Sequence, residues 1–182
     1  MAISRLLYAP KKTFHVTLTN ILIAQNKSMA SIVNAGGSGV IVKIQEIRLV
    51  NSRTAATTGV VADFQLKRIT GHSAGTNFTP VSSDSADTLS GSVTVKTGAT
   101  VAGESAANMK RAQWSSDEWG PGTVDVEAQD HTQQLTGEPL YSVRPEEKPI
   151  TLRPGEGMSL KQVANSVNGT FDIFIVFTEE AA

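Results

Sequence analysis

Phe171-Asp172-Ile173-Phe174-Ile175-Val176-Phe177-Thr178-Glu179-Glu180, near the carboxyl end, is the stretch on which the reading of the fold turns. Phe171, Ile173, Ile175 and Phe177 recur at every second position, the repeat of a pleated strand with one face on a core. Phe174 and Val176 point the other way. A strand facing water on that side would carry polar residues there. The middle of this strand is therefore expected to be covered on both faces, by a second layer of the same domain or by another copy of the chain. Upstream, Ile150-Thr151-Leu152-Arg153-Pro154-Gly155-Glu156-Gly157-Met158-Ser159-Leu160 is expected to pair with Val167 to Glu180 as one hairpin.

Working outward, Phe14, Val16 and Leu18 alternate with Thr13, His15, Thr17 and Thr19, which reads as a half-buried strand. A short second strand is expected through Met29-Ala30-Ser31-Ile32-Val33. Asn34-Ala35-Gly36-Gly37-Ser38-Gly39 reads as a hairpin connection. It is not a phosphate cradle, because no Gly-Lys-Ser/Thr follows and a strand rather than a helix comes next. In Val40 to Val50 the apolar alternation slips by one residue near Gln45-Glu46, as a bulge or a bend between two sheets would make it do. Val60 to Ile69 repeats such a slip between Leu66 and Ile69. Further strands are expected at Ser92 to Lys96, Met109 to Trp114 and Leu140 to Val143, and no segment of ten or more residues has helical periodicity.

These signals define an all-β chain, an antiparallel β-sandwich, with the jelly roll as the preferred topology. Residues 13–182 form one domain with a long, weakly patterned excursion at about 71–108, either a surface loop carrying a contact or part of an interface. Residues 1–12, with Pro10 and Lys11-Lys12, read as an extended amino-terminal arm lying on a partner.

A chain of 182 residues can bury a core without staples, and with no cysteine it can hold no disulfide or thiolate metal site. The start suits no signal peptide and no apolar run is long enough to span a membrane, so a soluble protein made and used in a cytoplasm is expected, with no membrane partner. Residues 1–70 hold nine Lys or Arg against two acids, net +7, while residues 71–182 hold seven against fifteen, net −8. Either the fold mixes these charges over one surface, or the molecule has oppositely charged ends and docks through its basic part. Nucleic acid is not the expected partner, because no stacking aromatics accompany the basic share.

Gly71-His72-Ser73-Ala74-Gly75 matches a nucleophile pattern, with Asp117 or Asp125 and then His131 in hydrolase order. Thr76-Asn77-Phe78-Thr79-Pro80 cannot open the helix that this chemistry needs, so no catalytic residue is expected. His15, His72 and His131 lie 57 and 59 residues apart without companions, which removes a cupin metal site. Each is expected to be an exposed or loop residue, and no metal or cofactor is expected. Trp114 and Trp119 flank four polar residues. The preferred reading spends them on packing, and the alternative is a glycan site of a receptor-binding protein. Three matches to the glycosylation pattern, at Asn26, Asn77 and Asn168, carry little weight without a secretory signal, and Asn168-Gly169 reads as a tight turn.

Taken together, Ser31-Ile32-Val33-Asn34 before Gly36-Gly37-Ser38-Gly39, Ile47-Arg48-Leu49-Val50-Asn51, Leu66-Lys67-Arg68-Ile69-Thr70, Trp114-Ser115-Ser116-Asp117-Glu118, Leu152-Arg153-Pro154-Gly155-Glu156-Gly157 and Val176-Phe177-Thr178-Glu179-Glu180 resemble stretches of tailed-bacteriophage structural proteins. Among these the chain is most similar to the jelly-roll decoration, or cement, proteins. The resemblance implies a homotrimer on the outside of the capsid, clamping major capsid proteins, assembled in the host cytoplasm, with no catalytic residues. Phe174 and Val176 would then meet sister copies, and Arg5, Leu6, Leu7, Tyr8, Lys11 and Lys12 of the arm would run onto the shell. A tail, baseplate or glycan-binding jelly roll is the alternative, with Trp114 and Trp119 as its site.

Overall fold

The computed structural model describes residues 11–52, 60–115, 139–164 and 169–182, so Arg5, Leu6, Leu7, Tyr8 and Trp119 lie outside the described residues. Every regular element among the described residues is a β-strand. The long strands are β1 (Lys12–Leu22), β2 (Lys27–Asn34), β3 (Val40–Asn51), β4 (Val61–Ile69), β10 (Asn108–Ser115), β13 (Glu156–Gln162) and β14 (Thr170–Ala181). Shorter ones are β5 (Gly71–Ser73), β6 (Thr76–Phe78), β7 (Val81–Ser82), β8 (Val93–Thr97), β9 (Thr100–Ala102), β11 (Tyr141–Ser142) and β12 (Ile150–Leu152). All their pairings are antiparallel.

Two six-stranded sheets pack face to face. Sheet A runs β11-β3-β14-β1-β7, with β12 also on β3, and sheet B runs β10-β4-β13-β2-β8-β6. The core lies between them because each long strand turns its apolar alternate residues to the same layer. Phe14, Val16, Leu18, Phe171, Ile173, Ile175 and Phe177 come from sheet A, and Met29, Ile32, Phe64, Leu66, Met158 and Leu160 from sheet B. Phe171 marks the junction. Its ring meets Phe64 edge to face at 5.0 Å and Trp114 at 5.3 Å, both reaching across from sheet B.

The slip at Gln45-Glu46 is a β-bulge. β3 pairs with β14 through Val176↔Glu46 and then Phe177↔Ile44, so Gln45 is the extra residue, and Ile47 and Leu49 on one side of it face the core together with Val42 and Ile44 on the other. The Gln45 amide Nε2 donates to Thr178 Oγ1 at 3.1 Å.

Four expectations are corrected. The carboxyl-terminal hairpin does not exist, because β13 belongs to sheet B and β14 to sheet A, while β12 pairs with β3 rather than leading into β13 as one strand. Asn34 to Gly39 is likewise no hairpin connection but a corner that carries the chain from β2 in sheet B to β3 in sheet A. Gly37 and Gly39 take φ of 75° and 69° there. In both cases the strand after the turn residues crosses to the opposite layer and adds its apolar face to the shared core. β4, thirdly, holds one register along β13 from Phe64 to Ile69, and the bulge beside it is at Met109 of β10. Ile69 is buried because the outer face of sheet B is itself covered. Finally, Lys12, expected in the amino-terminal arm, is the first residue of β1 and pairs with Glu179.

The covering layer comes from the excursion. Residues 71–108 contribute β6 and β8 to the edge of sheet B, β7 to the edge of sheet A, and a two-stranded ribbon, β5 with β9, that packs on β2 from outside. Beneath and beside it, Ser31, Val33, Ser159 and Ile69 are buried on the side of sheet B away from the core. Replacing Phe171 by Ala is expected to cost about 3–5 kcal/mol in urea unfolding, as for other buried Phe. Gly157→Ala is expected to cost about 1–3 kcal/mol, because an added Cβ would lie 2.6 Å from the Ile32 carbonyl oxygen and 2.9 Å from Ile69 and Val33 side-chain carbons. A Gly157→Ala protein as stable as the parent contradicts this packing.

Candidate functional site

On the outer face of sheet A, β14 lies between β1 and β3, so Phe174 and Val176 stand in the middle of the sheet and not at its rim. Phe174 is flanked by Thr17 and Arg48, and Val176 by His15 and Glu46. β7 continues the second row with Val81 beside His15. Phe174 and Val176 are half-buried by these neighbours, and Val81 is 69% exposed. The ribbon lies on the other sheet, over β2, and does not shield them. Charged and polar groups frame the row. Arg48 pairs with Glu46 two residues away on its own strand, Nη2 to Oε1 at 2.9 Å, and His15 Nε2 shares a 2.7 Å hydrogen bond with Ser83 Oγ.

Lys11 and Lys12, the described end of the expected arm, sit beside the end of β14. Lys11 Nζ lies 4.0 Å from Glu180 Oε2, and Glu180 is also paired with Lys43. Lys67 with Glu104 and Arg68 with Glu156 likewise join the basic first part of the chain to its acidic remainder. The fold thus mixes charges that the sequence segregates. Glu179, one residue before, points inward and accepts the Ser90 N–H with both oxygens, at 3.2 and 3.3 Å. Burial raises its carboxyl pKa, against the lowering pull of that N–H and of Lys12.

On sheet B the ribbon is held by a side-chain bracket. His72 of β5 makes hydrogen bonds from Nδ1 to Ser31 Oγ at 2.7 Å and from Nε2 to Thr94 Oγ1 at 2.8 Å. His72 is half-buried, not the exposed or loop residue expected. Burial and the nearby Lys96 ammonium lower its pKa to about 4. The arrangement superficially resembles a nucleophile, a base and an orienting group. A serine hydroxyl in place of a carboxylate cannot stabilise an imidazolium, and an imidazole of such low basicity takes a proton poorly near neutrality. Ser73 leads into a turn at Ala74 and Gly75, with φ of 51° and 72°, and then into β6, not into a helix. Asp117, Asp125 and His131 lie outside the described residues. Among the described residues no cluster of His, Asp and Glu could hold a metal ion.

Trp114 does not serve the glycan alternative. Its indole is buried against Phe171 at one end of the sandwich, which removes the face a sugar would stack on. Sequence reasoning missed the bracket and the clamp of Lys67 and Lys161 on Glu104, where Lys161 Nζ lies 2.9 Å from Oε1. A signal was present. Ser28, Ser31 and Ser159 are small hydroxyl residues on the non-core side of strands, where an uncovered sheet carries longer, charged side chains, and Ser28 Oγ bonds Ser159 Oγ at 2.8 Å.

No protein-family model, no curated protein and no solved structure matches this chain.

Because the Glu179 carboxyl takes a proton more readily in the fold than in the unfolded chain, its contribution to stability grows as pH falls through the raised value toward the ordinary Glu range. Glu179→Gln keeps an acceptor for Ser90 and is expected to remove that slope, melting at or above the parent temperature at pH 7. Glu179→Ala strands the Ser90 N–H and is expected to cost about 1–3 kcal/mol. Thermal melts from pH 4 to 8 check both, and a Gln variant that melts well below the parent contradicts the assignment.

Proposed function

We propose that this chain is a non-enzymatic virion structural protein, a jelly-roll decoration or cement protein that forms a homotrimer on the outer surface of a phage head and ties neighbouring major capsid proteins together. The observation that carries the reading is the outer face of sheet A. Phe174 and Val176 stand side by side on β14 in mid-sheet, with Val81 on β7 beyond His15, framed by Thr17, His15 and the Glu46–Arg48 pair, on a face that the ribbon does not cover. An apolar centre with a polar rim is the composition of a protein interface.

The strand order supports the jelly-roll reading. β1, β14 and β3 with β12 in sheet A, and β2, β13, β4 and β10 in sheet B, follow one another as two nested Greek keys do. In this reading Ser73 leads into a local turn and His72 makes cross-layer bonds, and neither is assigned chemistry. In a trimer, Phe174 and Val176 meet sister copies. Lys11 and Lys12 lie beside Glu180 and Glu179, and the proposal assigns the residues before them, with Arg5, Leu6, Leu7 and Tyr8, to contact with the shell. Three modest footprints held on one particle then bind far more tightly than one.

Analytical ultracentrifugation at micromolar concentration is expected to give a trimer for the parent chain and a folded monomer for Val176→Asp, with unchanged circular dichroism. Removal of residues 1–10 is expected to leave the trimer intact and to weaken binding to purified heads at least about 10²-fold, the scale on which valency acts. A parent chain that sediments as a monomer, together with unchanged head binding after the truncation, overturns the proposal.

A further inference from the structure

The outer face of sheet B carries a device of a different kind, and it stands independently of the trimer. The β5–β9 ribbon is an added layer held at three places. Gly98 N–H donates to Ser28 O at 2.9 Å at one end, Glu104 is gripped by Lys67 and Lys161 at the other, and the His72 ring spans the middle. At that middle position the imidazole is bonded on both nitrogens, to Ser31 of β2 beneath it and to Thr94 of β8 beside it. Two consequences follow from elementary chemistry. A neutral imidazole has one N–H and one lone pair, so one hydroxyl accepts from it and the other donates to it. An added proton makes both nitrogens donors, so the hydroxyl that had donated must turn its proton elsewhere and accept, and it places a positive charge where the surroundings are cationic.

Those surroundings can be named element by element. β8 presents Lys96, whose Nζ donates to Ala74 O just after β5. In the same cross-strand row Lys96 stands beside Ser31, then Ser159, then Lys67. β13 presents Lys161, β2 has Lys27 reaching toward Gly98, and β9 has only Thr100, Val101 and Ala102. Glu104 is the carboxylate on this face nearest the ribbon among the described residues, and two lysines already share it. We infer that the β5–β9 ribbon is an acid-released strap: protonation of His72 lifts it from sheet B and uncovers the buried outer row of Ser31, Val33 and Ile69. The depressed basicity of His72 is the same coupling seen from the ring, because a group that resists protonation while the strap is down makes the strap rise once the proton is forced on. The neutral form is favoured in the closed state, so the closure it supports is complete above about pH 6.5 and is lost as pH falls toward about 4.

The experiment is amide hydrogen exchange on the full chain at pH 7 and pH 4.5, corrected for intrinsic rates, together with the NMR titration of His72. Protection of the β5 and β9 amides is expected to fall at least tenfold at the lower pH while β14 stays protected, and the His72 ring is expected to titrate below pH 5. His72→Gln retains one donor and one acceptor without a titrating ring, and it leaves Glu104 in place. In that variant the ribbon's response to pH is expected to be largely lost. The inference is overturned by a ribbon equally protected at both pH values, by a His72 that titrates near 6.5, or by a His72→Gln chain with the full parental response.

Discussion

The structure depends on one shared apolar layer. Neither sheet has an inner face that tolerates water, so both must spend it on each other, and Phe171 in sheet A wedged between Phe64 and Trp114 of sheet B shows how closely they engage. This requirement dictates the path of the chain. β1, β2, β3 and β4 alternate between the two sheets, as β12, β13 and β14 do, because each new strand finds its apolar partner surface across the layer. The seam is held by polar groups that satisfy backbone at the crossings. Asn34 Nδ2 donates to Val40 O and Leu152 O at 2.8 and 3.0 Å, and Arg68 Nη1 donates to Thr151 O at 2.6 Å. A buried carbonyl left unpaired at such a corner costs about 1–3 kcal/mol, so these side chains fix where the chain may turn.

The outer faces of the sandwich are unlike each other. Sheet B is roofed by a ribbon over small hydroxyl residues, with a histidine bracket and a two-lysine clamp as fastenings. Sheet A presents Phe174 and Val176 in its middle, and no ribbon lies over them among the described residues. One face is thus completed within the chain, and the other is suited to completion by another molecule. That asymmetry, more than any single residue, is what the proposed assembling role rests on. Charge is distributed by the fold as well: among the described residues Lys43–Glu180, Lys67–Glu104 and Arg68–Glu156 join the basic first part of the sequence to its acidic remainder.

What could be read from residues alone was whatever depends on neighbours along the chain. The alternation of Phe171, Ile173, Ile175 and Phe177 established an inward strand face, and the displaced alternation in Val40 to Val50 located the bulge at Gln45, because side-chain direction in a strand is a local property of the backbone. All-β character followed in the same way. The outward placement of Phe174 and Val176 was legible too, but what surrounds them was not.

Which strand pairs with which was decided only by tertiary structure. β13 and β14 have turn residues and patterns that suit a hairpin, and local signals cannot distinguish pairing in one sheet from crossing to the facing one, since both bury the same alternate residues. The ribbon was hidden for a related reason. Ser31, His72 and Thr94 are far apart in sequence and polar, so no periodicity marks them, and their meeting exists only once the excursion folds back over β2. Periodicity therefore determined which way each side chain faces, while the competition among distant surfaces for a common dry layer decided what each one meets.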